Sequence, residues 1–251
     1  MSDVVLLHGF TGSPASFDEL ERQLVARLPR LRTFRPALLG HAGTRAHGVR
    51  RFEQEIERLA TSIRGAGFAG AHLLGYSLGA RVALGLLAHV PYLFGGATLI
   101  GVHPGIRGLA ERAARVGSDE RWCERLAQHG LQAFLRDWEA QPLFASQHSL
   151  SERCAAEQRE VRRGHTAEGL MTSLRVLGLG QMPDYRGVLS TQPLPVQLLA
   201  GALDDKFMEL GRELADVSPR VELEIVAGVG HNVLLEAPGR VASALARALA
   251  A

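Results

Sequence analysis

A serine between two glycines is the residue with the clearest potential for chemistry in this chain. Residues 75–79 read Gly-Tyr-Ser-Leu-Gly, after the apolar run 71–74 and before a helical pattern at 81–87. Glycines permit the sharp turn between a strand and a helix that lifts a serine hydroxyl above a sheet. The pentapeptide also occurs by chance in loops, so its place between these two elements is what indicates that Ser77 is catalytic.

A reactive serine needs a base, and His231 is the histidine in the most suitable place. It lies in residues 228–232, Gly-Val-Gly-His-Asn, between the last predicted strand and the terminal helix. The orienting acid is expected in residues 201–207, where Asp204 and Asp205 are both available. An aspartate would hold the imidazole tautomer and stabilise its cation. We favour Asp204, since Asp205 is well placed to cap the following helix.

Backbone amides are expected to stabilise the negative charge that develops on the substrate. The first strand ends in residues 8–12, His-Gly-Phe-Thr-Gly, which brings the Phe10 amide beside that of Leu78. A tight turn at the strand end is the alternative reading of these residues. Arg81 lies one helical turn after Ser77 and could reach the same pocket, although a surface or packing role is also open.

The elements that must position these residues alternate between strands and helices. Strand patterns lie at 4–7, 32–35, 71–74, 97–100, 194–200 and 221–226. Helical patterns lie at about 14–28, 50–64, 81–87, 207–215 and from 239. This alternation predicts an α/β fold with a mostly parallel, doubly wound sheet covered on both faces.

One long segment interrupts this order with helical patterns alone. Between about 103 and 180 the patterns at 110–115, 121–128, 131–138 and 151–163 are amphipathic, and no convincing strand is found. We interpret 103–180 as a helical lid inserted into a single domain that covers 1–251. The insertion follows the carboxyl end of a strand, where open α/β sheets bind ligands. A purely scaffolding bundle is the alternative.

The composition limits the classes of partner. The 251 residues are 46% hydrophobic and 22% charged, as expected of one folded domain, with a net charge of +2. Lys206 is the only lysine, and the arginines are spread along the chain, so nucleic acid is not an expected partner. Guanidinium groups suit small carboxylate or phosphate ligands, which predicts a small anionic substrate.

The cysteines and the apolar runs indicate the compartment. Cys123 and Cys154 lie in helical patterns without metal-ligand spacing, so we expect free thiols, no metal and no cofactor. The apolar run at residues 4–7 is too short for the hydrophobic region of a signal sequence, and no apolar run reaches membrane-spanning length. We therefore expect a cytoplasmic protein without membrane contact, as a monomer or weak homodimer.

Several sequence motifs together resemble the α/β-hydrolase superfamily. Over nearly the whole chain they are similar to one of its branches, the pyruvate-eliminating synthases of menaquinone biosynthesis. The motifs are residues 6–12, 75–83, 103–105, 111–115, 119–122, 138–146, 204–207 and 230–232. Two positions depart from the pattern. Ala80 stands where a second glycine is usual, and residues 38–43 are a loosened form of the superfamily's Pro-Gly-His-Gly loop.

The resemblance implies a lyase and not a hydrolase. Ser77, activated by His231 and Asp204, would take a proton from a carbon of a succinyl-bearing cyclohexene. Loss of pyruvate would then convert this ring into a cyclohexadiene. The Phe10 and Leu78 amides would stabilise the charge that grows as the proton leaves, and no acyl-enzyme is required.

The resemblance also implies the residues that bind the substrate. Arg81, Arg115 and Arg159 would bind its carboxylates, while Tyr76 and Trp138 would line the pocket. Each charge-assisted bond contributes roughly 1.5–3 kcal/mol, so several arginines fit a multiply anionic substrate.

A solvated helix face is the alternative for the lid arginines. Arg115 and Arg159 would then form ion pairs with Glu111 or Glu157. For Arg112 and Arg163 we expect this solvated role.

Two other functions remain open from the residues alone. A serine esterase or thioesterase would use Ser77 as a covalent nucleophile on the same fold. A non-catalytic binding protein is a third class, which the intact serine, acid and histidine disfavour.

Overall fold

Six parallel strands form one sheet in the computed structural model, which describes residues 2–45 and 48–250. The strands are β1 Ser2–Leu7, β2 Leu31–Phe34, β3 Ala71–Tyr76, β4 Phe94–Ile100, β5 Val196–Gly201 and β6 Val221–Val226. Their order in the sheet is β2-β1-β3-β4-β5-β6. All six residues of β3 are buried, as expected of a central strand covered on both faces. The predicted α/β fold with a mostly parallel sheet is confirmed.

Helices cover both faces of the sheet. They are α1 Asp18–Val25, α2 Phe52–Gly65, α3 Leu78–His89, α8 Asp205–Ala215, α9 Val233–Glu236 and α10 Pro238–Ala250. Along β1, Val5 and Leu7 pack into the core beneath α2 and α3, whereas Val4 and Leu6 pack into the core beneath α1 and α10. This follows from the two-residue period of a strand, which sends successive side chains to opposite faces.

The segment between β4 and β5 is helical throughout its regular elements. It contains α4 Leu109–Glu139, α5 Glu152–Arg163, α6 Ala167–Leu177 and α7 Arg186–Thr191. Helix α4 joins three of the amphipathic patterns, with one break at Gly130, whose φ is 74°. Cys123, Phe134 and Leu170 belong to a small separate core that joins α4 to α6. None of the helices among residues 2–45 and 48–250 is long and apolar enough to cross a bilayer.

Candidate active site

Ser77 lies in a sharp turn between β3 and α3, with φ 50° and ψ −106°. This backbone conformation is costly for a residue with a side chain and is found where the surroundings enforce it. A Cβ atom on Gly79 would collide with the Leu7 carbonyl oxygen, and one on Gly75 would collide with the backbone of Gly79. Gly79 is therefore required by the packing of the turn against β1, and Gly75 by the close approach of the start of α3.

The structure brings a hydroxyl, an imidazole and a carboxylate from three distant stretches together. His231 Nε2 lies 3.0 Å from Ser77 Oγ, and His231 Nδ1 lies 2.8 Å from Asp204 Oδ2. The Asp204 carboxylate keeps the proton on Nδ1, so the Nε2 lone pair is free to accept the Ser77 proton. Gly101 makes room for the ring, because a Cβ there would lie 2.8 Å from His231 Cε1.

Asp204, and not Asp205, both orients His231 and caps the next helix. Its Oδ1 accepts the Phe207 amide N–H at 3.4 Å, while Oδ2 faces His231. Asp205 is the first residue of α8 and is exposed. The expectation that Asp205 caps this helix was therefore wrong. The preference for Asp204 agrees with the geometry for a different reason. One oxygen of its carboxylate caps α8, and the other faces His231.

Glu236 holds the loop that carries His231, and sequence reasoning missed it. Its two carboxylate oxygens accept the amide N–H groups of Gly230 and Asn232 at 2.8 and 3.2 Å. These amides flank His231, so the carboxylate fixes the histidine loop on both sides. The sequence signal that could have identified it is an acidic residue four positions after the Gly-His-Asn motif, at the end of α9.

Two backbone amides beside Ser77 are free to bind a developing negative charge. Among the described residues, neither the Phe10 nor the Leu78 N–H donates to a protein acceptor. The loop around Phe10 is closed by the Gly12 N–H, which donates to the Gly9 carbonyl oxygen at 3.0 Å. Donors that are fixed before the reaction stabilise such charge without reorganising.

A cavity of about 980 Å³ opens beside Ser77 and His231. Phe10, Tyr76 and Trp138 form part of its wall. Trp138 Nε1 is buried and has no hydrogen-bond partner within the described part of the chain. A buried donor without a partner costs free energy, so this indole suits a ligand acceptor.

Arg162, which sequence reasoning assigned no role, is the buried arginine in the cavity wall. Its Nη1 lies 2.8 Å from Glu139 Oε1, and its guanidinium lies 5.7 Å from the centre of the Phe144 ring. Arg159, by contrast, pairs with Glu152 at 2.5 Å on the exposed side of α5 and does not line the cavity. Arg159 is thus not among the expected substrate-binding residues that the structure brings to the cavity wall.

Arg81 and Arg115 lie together but outside the cavity wall. Arg81 Nη1 donates to the Leu177 carbonyl oxygen at 2.7 Å, and Arg115 Nε donates to Asp119 Oδ1 at 2.9 Å. Burial, and then the charge of Arg115, lowers the pKa of Arg81, while Asp119 acts in the opposite direction. The expected direct contact of both arginines with the pocket is thus absent from this arrangement, in which Asp119 pairs with Arg115 and acts on Arg81 through its charge alone.

The two remaining lid arginines differ from each other. Arg112 is partly buried and donates to the carbonyl oxygens of Ile106 and Met182, each at 2.9 Å, so the solvated role expected for it was wrong. Arg163 is exposed and pairs with Glu160 at 2.8 Å, as expected of a solvated helix face. Arg112 therefore ties α4 to the segment after α6.

Metal coordination has no evident place in the described residues. Across 2–45 and 48–250, no group of three or more His, Cys, Asp or Glu side chains could hold a metal ion. Cys123 and Cys154 are free thiols.

Buried histidines make the fold sensitive to acid. Burial lowers the pKa of His8 and of His72 to about 4. Between pH 6.5 and about 4 the unfolded chain therefore binds protons that the native state does not. The free energy of unfolding decreases as the pH is lowered through this range. Each of these two histidines contributes about 1.4 kcal/mol per pH unit in that range.

We expect the free energy of unfolding to be lower by about 3 kcal/mol at pH 5.5 than at pH 7.5 from these two residues. Urea unfolding followed by circular dichroism at both pH values measures the difference. A His129→Gln variant is the control, because His129 is exposed and its removal should leave the difference unchanged. Equal free energies at the two pH values would show that the buried histidines take up protons in the folded state.

Comparison with known proteins supports this description of the fold. The sequence profile of the Alpha/beta hydrolase family matches residues 4–244. The chain is 32% identical over 246 residues to the 2-succinyl-6-hydroxy-2,4-cyclohexadiene-1-carboxylate synthase of Shigella sonnei, which covers 98% of this chain and 93% of the relative. It is 33% identical over 248 residues to the synthase of the same name from Shigella flexneri, with the same two coverages.

A solved structure shows the same fold. MenH from S. aureus superimposes with a TM-score of 0.90 at 24% identity and covers 99% of this chain and 93% of its own. With the profile match and the two full-length relatives, the chain belongs to the α/β-hydrolase family and, within it, to the 2-succinyl-6-hydroxy-2,4-cyclohexadiene-1-carboxylate synthases.

Proposed function

We propose that this protein eliminates pyruvate from 2-succinyl-5-enolpyruvyl-6-hydroxy-3-cyclohexene-1-carboxylate in menaquinone biosynthesis. The product would be 2-succinyl-6-hydroxy-2,4-cyclohexadiene-1-carboxylate, the compound in the names of its relatives. The observation that carries the proposal is the aligned Ser77, His231 and Asp204 facing a cavity whose wall contains the buried Arg162.

The reaction moves one proton and one leaving group. The ring carbon that bears the succinyl group loses its proton, which is acidic because the carbon adjoins both a carbonyl and the ring double bond. The electron pair forms a double bond between carbons 2 and 3, and the existing double bond moves to carbons 4 and 5. The bond from carbon 5 to the enolpyruvyl oxygen then breaks, and the leaving enolate takes up a proton as pyruvate. Nothing is oxidised, so no cofactor is needed.

The triad supplies the base for this step. His231 accepts the Ser77 proton, and the Ser77 oxygen removes the proton from the substrate carbon. Negative charge then spreads onto the succinyl carbonyl oxygen, where the Phe10 and Leu78 amides would stabilise it. Tyr76, in the cavity wall and 5.6 Å from the His231 ring, limits where the substrate ring can lie.

The cations of the site suit the three carboxylates of the proposed substrate. Arg162 and Trp138 would hold one carboxylate in the cavity, since both are buried donors in its wall. Arg81 and Arg115 lie outside the cavity wall, so they would act on a second carboxylate only through their charge. Burial, followed by the charges of Lys206 and then Arg81, lowers the pKa of His103 to about 3, as expected of a region with excess positive charge.

An esterase or thioesterase is the second candidate, because an aligned triad also fits a covalent mechanism. The names of the full-length relatives favour the lyase. We also propose that the protein acts in the cytoplasm.

Release of pyruvate from the succinyl-cyclohexene acid tests the lyase directly. Purified protein is mixed with the substrate, and pyruvate is followed through a coupled dehydrogenase while the absorbance of the diene is recorded. Pyruvate and diene should appear at equal rates and in equal amounts. Rapid hydrolysis of nitrophenyl esters with a trapped acyl-serine, and no pyruvate from the acid, would refute the lyase and favour the esterase.

A further inference from the structure

We propose that His165, in the turn between α5 and α6, is a positioning residue that aims the Phe10 amide at the substrate. It would do so by holding the backbone of Thr11, the next residue along the oxyanion loop. This inference rests on the proposed function, since its test measures the Phe10 amide through the rate of pyruvate release.

Thr11 has a backbone conformation that its surroundings must maintain. Its φ is 60°, in the left-handed region that residues with side chains rarely adopt. Such residues persist where neighbouring groups fix them, and they are common at functional sites. Any relaxation of Thr11 would rotate the peptide that precedes it and therefore move the Phe10 backbone.

Two histidines bind both polar groups of the Thr11 backbone. The Thr11 N–H donates to His41 Nε2 at 3.2 Å. His165 Nε2 donates to the Thr11 carbonyl oxygen at 3.0 Å. His165 Nδ1 in turn accepts the Ala42 N–H at 3.4 Å, which assigns the His165 proton to Nε2. Burial lowers the pKa of His165, so the ring is neutral and keeps the Nδ1 lone pair that this arrangement needs.

The loop that contains Ala42 is itself held in place by buried hydrogen bonds. His8 Nε2 accepts the Leu38 N–H at 3.2 Å, and Glu55 Oε1 accepts the Leu39 N–H at 2.9 Å. Glu55 is buried and paired with Arg58 at 2.6 Å. His165 thus connects the oxyanion loop to a segment that is fixed to α2.

The same stretch of the lid also supplies the buried arginine of the cavity wall. Arg162 lies three residues before His165, in the last turn of α5, and its carbonyl oxygen accepts the His165 N–H at 3.4 Å. Placement of the lid over the cavity therefore also places the ring that holds Thr11.

Substitutions of His165 separate positioning from stability. His165→Leu removes both hydrogen bonds and fills the space, whereas His165→Gln keeps one donor and one acceptor on a side-chain amide. His72→Leu is the matched control. His72 is also a buried histidine, bound to Thr98 Oγ1 at 2.9 Å, but it lies at the opposite end of β3 from Ser77.

We expect His165→Leu to lower kcat for pyruvate release at least about tenfold, with KM changed much less, because an oxyanion donor acts on the transition state. His165→Gln should recover most of this loss, and His72→Leu should keep kcat while losing stability. If His165→Leu does not fold, His165→Asn is judged by the same criterion, since its shorter amide reaches only one of the two partners.

Three results would overturn the inference. They are an unchanged kcat in folded His165→Leu (or in His165→Asn, if the leucine variant does not fold), a loss confined to KM, or an equal loss of kcat in His72→Leu. The wild-type protein is measured in parallel. Absence of pyruvate from the wild type would refute the proposed function itself, which keeps the two failures distinguishable.

Discussion

Replacing Ser77 with alanine is expected to lower kcat for pyruvate elimination by about 10³- to 10⁴-fold, with little change in KM. The Ser77 oxygen is the proposed base, and a positioned base contributes on the order of 10²- to 10⁴-fold in rate. His231 Nε2 lies 3.0 Å from this oxygen and accepts its proton, so His231→Ala should cause a loss of similar size.

The two substitutions should not add. When residues act as one unit, removal of any member abolishes most of the rate enhancement that they provide together. The kcat of the double variant should therefore resemble that of either single variant. Residual activity then reports the Phe10 and Leu78 amides together with substrate binding. Stopped assays at saturating substrate measure kcat, and the exposed Ser190→Ala variant is the control that should be unaffected.

Two outcomes would contradict this role of Ser77. Retention of more than about a hundredth of the wild-type kcat in Ser77→Ala would place the base elsewhere, since a loss of less than about 10²-fold falls below the range for general bases. A mass increase on Ser77 during turnover of the wild type would indicate a covalent route. Intact mass spectrometry of the quenched reaction detects such an adduct.

Local signals in the sequence were sufficient to predict the sheet and its turns. The strand before Ser77 is mostly apolar and fully buried, and the glycines around Ser77 mark the turn, because the close backbone contacts there exclude side chains. The lid was harder, since α4 joins the separate patterns at 110–115 and 121–128 into one helix, whereas the pattern at 131–138 does follow a break, at Gly130. Gly130 absorbs the one irregular conformation in α4, with φ 74°, and a sequence pattern does not specify that geometry.

The triad could be predicted, whereas the choice of arginines could not. Ser77, Asp204 and His231 each follow a strand, so the parallel sheet brings them to one edge. Arg159 and Arg162 lie within one turn of the same helix, and periodicity does not say which face of α5 covers the cavity. That depends on how α5 packs against Glu139 of α4 and against Phe144, contacts between segments that are distant in any local pattern.

Replacing Arg162 with methionine is expected to lower kcat/KM for the anionic substrate by about 10- to 100-fold, mainly through KM. Charge-assisted hydrogen bonds contribute about 1.5–3 kcal/mol each, which corresponds to this range. Methionine keeps much of the packing on Phe144 while it removes the guanidinium. Arg159→Met is the matched control on the same helix, and its exposed pair with Glu152 predicts almost no effect.

Two further measurements distinguish substrate binding from loss of structure. Loss of the cation leaves Glu139 without its partner at 2.8 Å, so part of the effect could come from an unpaired carboxylate. Arg162→Met combined with Glu139→Gln removes that charge and should still show the raised KM. Arg162→Lys should recover only part of the affinity, because an ammonium lacks the planar fork that binds a carboxylate with two hydrogen bonds. Equal losses in Arg159→Met and Arg162→Met, or full recovery in the double variant, would show that Arg162 supports the lid and does not bind the substrate.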